Sequence, residues 1–191
     1  IVVRAARIPP LSAEAAFSSA SLDEEIISRS ERIDQALRQV PAATLFRRAD
    51  SLAANPTTQG LSLRAIAPTG AGRALVTLDG VPINDPFGGW VIWGQLVPEG
   101  IQSLDLMRGA GSGPYGAGAL TGTVNLSERD QDGGVFDFSV GSRGALRAAG
   151  AARMQAGRAA FTLSGSHESS DGYVPVRGPA AGLADLPMDL T

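Results

Sequence analysis

The sequence predicts an α+β domain, a small mixed sheet with short helices, followed by a run of antiparallel strands that each carry one apolar and one polar face. Three observations carry this expectation. Residues 21–40 repeat their apolar side chains at helical spacing, residues 41–126 switch to a period of two, and beyond the polar stretch 127–134 the alternation returns in longer segments.

The first twenty residues, IVVRAARIPPLSAEAAFSSA, open with a β-prone pentapeptide and continue through Pro9-Pro10 into small residues, which predicts an extended arm over 1–20. In SLDEEIISRSERIDQALRQVP, Ser21 with Glu24 and Ser28 with Glu31 have capping-box spacing. Ile33, Ala36, Leu37 and Val40 share one helical face, so two short helices are expected, closed by Pro41. ATLFRR, LSLRAI, RALVTLDGVPIN, IQSLDLMR and TGTVNL then read as short strands, with Asp79-Gly80 as a hairpin turn. The clusters between them, NPTTQG, APTGAG, NDPFGGW and GAGSGPYGAG, are too long and glycine-rich to be simple connectors.

SERDQDGG marks a boundary. After it, Val135 leads Phe136, Phe138 and Val140 in alternation with Asp137 and Ser139. Leu146, Ala148, Gly150, Ala152 and Met154 alternate with Arg147, Arg153 and Gln155, and Phe161, Leu163 and Gly165 with Thr162, Ser164, Ser166 and Glu168. A transmembrane β-barrel presents such strands to lipid and lumen, and a soluble antiparallel sheet with one solvated face has the same pattern.

Composition removes several classes of function. Sixteen basic side chains, all arginine, stand against nineteen acidic ones for a net charge of −3, which is no electrostatic footprint for nucleic acid and no polybasic run for anionic lipid. There is no cysteine, hence no disulfide framework, zinc knuckle or thiol nucleophile. The one histidine, His167, lies in SGSHESSDG without a second ligand at metal spacing and reads as a solvated loop residue. No apolar run reaches the ~18 residues of a spanning helix. Ile1 opens without the charged and apolar regions of a leader, so a leader is expected to have been removed or to lie upstream.

Gly111-Ser-Gly113-Pro-Tyr-Gly116 spells the G-x-G-x-x-G of dinucleotide-binding loops. A strand precedes it, but Pro114 interrupts the motif and YGAGALTGTVNL favours an extended chain. No helix N-terminus would therefore face a pyrophosphate. No cofactor is expected, and the glycines read as room for close backbone approach.

The succession ALRQVPAATLFRR, NPTTQGLSLRAI, ALVTLDGVPIND and MRGAGSGPYGAGALTGTVNL resembles the plug domain of TonB-dependent outer-membrane receptors, in order and spacing, over roughly residues 20–127. The resemblance implies a plug at 21–127 lodged in a barrel of about 22 strands. It further implies an arm at 1–20, a linker at 128–134, the first three barrel strands at 135–173 and the start of an extracellular loop at 174–191, the chain being an N-terminal fragment. The implied activity is no enzymatic reaction. It is uptake of a bulky, scarce solute (ferric siderophore, cobalamin or oligosaccharide) across the outer membrane of a Gram-negative bacterium, with TonB of the inner membrane and outer-membrane lipid as partners. A soluble β-rich binding or adhesion domain is the alternative.

Site residues follow from the same resemblance. Arg64 and Arg108 match plug arginines that pair with barrel glutamates, although Ala65 stands where the family motif has glycine. Each also reads as an ordinary strand-end arginine. The loops 67–73 and 84–93 are apical, making Pro68, Thr69, Arg73, Asp85, Phe87, Trp90 and Trp93 candidate solute contacts. The three aromatic rings either stack on a ligand or form a local core beneath the loop. Ile1, Val2 and Val3 resemble the segment that pairs with TonB, and read equally as a first strand of the plug. No chelating cluster accompanies these residues, so bare metal is not an expected ligand.

Overall fold

The computed structural model describes residues 18–41, 43–45, 59–63, 73–109, 115–116 and 118–172. Strand β1 (Ser18–Asp23) leads directly into α1 (Glu24–Ser28) and α2 (Ile33–Arg38). There follow β2 (Ala43–Leu45), β3 (Leu61–Leu63), β4 (Ala74–Leu78) and β5 (Val81–Pro82). Next come two single-turn 3-10 helices (Trp93–Gln95, Pro98–Gly100), β6 (Ile101–Arg108), β7 (Gly122–Glu128), β8 (Gly133–Val140), β9 (Leu146–Ala156) and β10 (Ala159–Ser169).

Five strands make one sheet in the order β1-β6-β7-β4-β5, in which only β4 and β7 run parallel. Asp79 and Gly80 both take positive φ, 49° and 82°, the turn whose twist suits a two-residue hairpin between β4 and β5. One face of the sheet is apolar: Val76, Leu104, Leu106, Val124 and Leu126 bury with Ile27, Ile33 and Leu37 of the two helices into a single core. A bulge near the start of β6 turns Ile101 and Leu104 to that core although they are three residues apart. The opposite face is polar, with cross-strand bonds from Ser21 Oγ to Asp105 Oδ1 (2.7 Å) and from Thr77 Oγ1 to Asn125 Oδ1 (2.8 Å).

Strand β1 corrects the expected start of the first helix. Ser21 pairs with Asp105 in the ladder and is taken up by that cross-strand bond. Asp23 caps α1 instead, accepting from Ile26 N at 3.1 Å. Ser28 bonds back to Glu25 O, and Arg32 begins α2 without a side-chain cap, so neither expected capping box forms. Residues 1–17, with most of the expected arm, lie outside the described residues.

Strands β8, β9 and β10 form a separate antiparallel sheet, β9 in the middle. It starts at Gly133, two residues before the expected Val135, and its third strand ends at Ser169, short of 173. Phe136, Phe138, Val140, Met154, Phe161 and Leu163 share one face and are exposed. The other face lies against the first domain: a Cβ at Gly100 would stand 3.4 Å from Ser164 Cβ and 3.7 Å from Ala151 Cβ. His167 is an exposed residue of β10, opposite Ala148, and not a loop residue as expected.

Candidate functional site

The turn that follows β5 is built by two side chains. Asn84 Oδ1 accepts from Val76 N (2.7 Å) while its Nδ2 donates to Ala74 O (3.1 Å) and Gly89 O (3.0 Å), tying the turn to β4. Asp85 Oδ1 accepts from Phe87 N (2.9 Å) and Gly88 N (2.7 Å), and its backbone N–H donates to Trp90 O (2.8 Å). The Trp90 ring closes over Gly88, where a Cβ would fall 1.5 Å from ring carbon Cζ3, so any side chain there would have to push the indole aside. Phe87 stands at the tip, 97% exposed. A short Asx-type scaffold thus holds one bare aromatic ring outward without depending on packing for its position.

The three aromatic candidates therefore separate. Phe87 is presented at the surface, Trp90 is half-buried on the flank, and Trp93 is 0% exposed. Trp93, for which solute contact and local core are both open readings of the sequence, lies in the core, its indole N–H donating to Gln59 O at 3.1 Å. The 3-10 turn at Trp93–Gln95 rotates the ring inward, and the buried N–H is satisfied by backbone. Asp85 is occupied by the turn's own N–H groups. Arg73 is exposed, and its carbonyl accepts from Thr121 N. Pro68, Thr69, Arg64, Ile1, Val2 and Val3 lie outside the described residues.

Arg108 closes β6. Its Nη1 donates to Pro41 O at 2.8 Å, joining β6 to the chain after α2, and its buried Nε has no partner among the described residues. From Gly118 the chain runs through a turn into β7, so no helix N-terminus follows the glycine loop.

A group that sequence reasoning missed joins the first domain to the second sheet. Arg147 of β9 has its guanidinium on Glu99 in a two-pronged contact, Nη1 to Oε1 at 2.7 Å and Nη2 to Oε2 at 2.9 Å. Both side chains are buried, 7% and 4% exposed. The same guanidinium meets Asp137 Oδ1 on β8 at 2.9 Å and Glu168 Oε1 on β10 at 3.3 Å. The second oxygen of Glu168 accepts from Arg32 Nη1 at 3.2 Å. A cavity of about 140 Å³ lies beside this group, with Leu96 and Ser166 among its walls. Arg153 lies near Asp132 (3.7 Å) and donates to Asp130 O, and Arg129 pairs with Glu24. The available signal was Arg147 itself, a charge on the polar phase of an Ala-rich strand.

Among the described residues no group of three or more His, Asp or Glu side chains is arranged to hold a metal ion, and no helix is long and apolar enough to cross a membrane, which says nothing of a β-barrel.

The family model of the TonB-dependent receptor plug domain matches residues 12–123. Among solved structures, the chain superposes on the ferric yersiniabactin uptake receptor FyuA from Yersinia pestis with a TM-score of 0.58 at 20% identity, over 85% of this chain and 26% of that one. The ferric-catecholate import receptor Fiu from E. coli K12 gives 0.58 at 17%, covering 82% and 22%. The siderophore receptor PirA from Pseudomonas aeruginosa gives 0.56 at 21%, covering 80% and 28%. The chain spans about a quarter of the length of these receptors, and the shared part is their fold, a mixed plug followed by antiparallel strands. Over more than half its length, then, this chain belongs to the TonB-dependent receptor plug domain family.

Proposed function

We propose that the chain is the N-terminal part of an outer-membrane receptor that takes up a bulky, scarce solute of the siderophore, cobalamin or oligosaccharide class, driven by TonB. The carrying observation is the order of parts: a family plug followed at once by three strands with an exposed apolar face and a polar face turned to the plug. Phe136, Phe138, Phe161 and Leu163 suit lipid as their surroundings, and three strands need further strands before both edges are paired. These rows favour a barrel wall over a soluble adhesion sheet, for which such a face is an aggregation hazard.

In this reading the solute rests on the apical side of the plug. Phe87 on its fixed turn is the aromatic contact, with Trp90 and Asp85 in the same loop and Pro68, Thr69 and Arg73 in the neighbouring one. Arg108 and Arg64 pair with barrel carboxylates further along the full receptor, and the buried Arg108 Nε is in keeping with this. Ile1, Val2 and Val3 pair edge-on with TonB. No bond of the solute is made or broken. The protein sits in the outer membrane of a Gram-negative bacterium, and the siderophore class is the one to try first, since the superposed structures are siderophore receptors.

The test expresses the full-length receptor in a siderophore-deficient host with and without TonB, and measures uptake of ferric enterobactin, ferric yersiniabactin, cobalamin and maltooligosaccharides. Uptake of one of them that vanishes without TonB and falls with Phe87→Ala supports the reading. Accumulation of the receptor as a soluble, detergent-independent monomer refutes it.

A further inference from the structure

We propose that Arg32, Glu168, Arg147 and Glu99 form a charge-keyed seat that sets the one orientation in which the plug docks on the first strands of the wall. The inference rests on the reading of β8–β10 as barrel wall. The four side chains make a line of alternating sign: Arg32 on Glu168 at 3.2 Å, Glu168 on Arg147 at 3.3 Å, and Arg147 on Glu99 at 2.7 Å. The two ends belong to the plug and the two middle members to the wall. A plug turned the other way would set Arg32 against Arg147 and Glu99 against Glu168.

The rest of this interface offers little to choose an orientation. Besides the charged side chains, the wall residues that share the face include Val135 and Ser139 on β8, Ala149 and Ala151 on β9, and Ser164 and Ser166 on β10, and the plug meets this face with the 3-10 turn Pro98–Gly100. Apart from Val135 these side chains are small, and they permit close approach while carrying little shape that distinguishes one seating from another. The charges do carry one, because a buried ion pair is costly to leave half-made and so penalises every register but its own. The wall also prepares its half in advance. Glu168 lies directly opposite Arg147 in the β9–β10 ladder, and Asp137 meets the guanidinium from β8, so its fork is oriented before Glu99 arrives.

This seat differs in kind from the expected plug arginines Arg64 and Arg108. One of its pairs runs in the reverse sense, a plug carboxylate on a wall arginine, and it uses strands that follow the plug immediately in sequence. The plug is thereby oriented by the first wall strands to follow it.

The test uses the full-length receptor with Gly100→Cys and Ala151→Cys, since a Cβ at Gly100 lies 3.7 Å from Ala151 Cβ, within disulfide reach. Disulfide yield in isolated outer membranes reads the seating, and the heat-dependent gel mobility of the receptor reads separately whether a barrel has formed. With the quartet intact the disulfide should form in nearly all receptors. Glu99→Arg or Arg32→Glu should lower the yield to roughly a tenth, and the milder Glu99→Gln and Arg32→Gln to about a half, while gel mobility stays unchanged. Cells carrying the reversed variants should also become sensitive to vancomycin, which an unseated plug admits through a barrel of this size. A yield unaffected by all four substitutions in heat-shifting receptors overturns the seat, as does absence of the disulfide with the quartet intact. Loss of the gel shift in the unsubstituted receptor instead overturns the barrel reading.

Discussion

Gly122, where β7 begins beside the end of β6, is the position at which a single methyl group should do most damage. Its φ is +145°, a region essentially closed to residues with a Cβ, and a built Cβ would fall 2.2 Å from Met107 O, 2.7 Å from Leu63 Cδ1 and 3.1 Å from Arg108 Cα. Leu63 can swing aside, but Met107 O and Arg108 Cα are backbone of the paired strand and move only if the ladder opens. The forced conformation costs about 1–3 kcal/mol, and overpacking against backbone about 1–3 kcal/mol more. Gly122→Ala should therefore lose roughly 4 kcal/mol, a large share of the ~5–15 kcal/mol of an ordinary domain. Gly133 separates the two terms, since its φ of +136° is similar but nothing lies within 4 Å of the added atom. Gly133→Ala should show the conformational part alone, about 2 kcal/mol. Urea unfolding of the 191-residue chain in detergent, followed by the fluorescence of its two tryptophans, measures both. At a slope of about 2 kcal/mol/M the midpoints should fall by about 2 M and 1 M respectively. Equal losses at the two sites would refute the argument from crowding.

Other positions carry sharper tests of particular contacts. Trp93→Phe keeps the ring but strips the donor from Gln59 O, so about 1–3 kcal/mol should be lost in the same unfolding assay, together with the most buried fluorescence component. Phe87→Ala should leave stability within about 0.5 kcal/mol, because the ring is exposed and the turn is held by Asp85. Asn84→Ala removes three hydrogen bonds that join the turn to β4, and hydrogen exchange should show residues 85–90 opening with β4 largely kept. The Glu128 carboxyl is pushed above the ordinary glutamate range, first by burial and then by the charge of Asp79, with Arg153 pulling the other way. The folded chain thus binds this proton more tightly than the unfolded one. Its contribution is complete below about pH 4 and is lost as pH rises through the raised folded value. Glu128→Gln should accordingly unfold at higher urea than the parent at pH 7 and lose that advantage at pH 4.

What was legible in the sequence was local chemistry. The two helices, the Asp79-Gly80 hairpin, β6 and the three later strands are each specified by period and turn residues within a window of a dozen positions. Strand β1 was not, because Ser21, Leu22 and Asp23 look like a helix start until Asp105, eighty-four residues away, supplies the partner for Ser21. Trp93 shows the same limit from the other side. Phe87, Trp90 and Trp93 are spaced alike in a glycine-rich loop, and only a 3-10 turn and the carbonyl of Gln59 decide that one of the rings is core.

The ion group around Arg147 makes the limit a matter of physics. Its four acidic and basic neighbours come from the residue that precedes α2, the Pro98–Gly100 turn, β8 and β10, so no segment of the chain carries the pattern. Strand alternation tells which phase of β9 is polar, but a polar phase is satisfied equally by water and by a plug. The deciding quantity is desolvation, which depends on what lies across the gap and not on the strand. A guanidinium 7% exposed between three carboxylates has lost nearly all its water, and the two-pronged contact with Glu99 is what replaces it. The candidate solute contact at Phe87 has the opposite logic. It keeps its exposure, its turn is self-contained, and so its six-residue signal NDPFGG can be read directly from the sequence. A presented residue is written locally, whereas a seat requires both of its surfaces before it can be recognised.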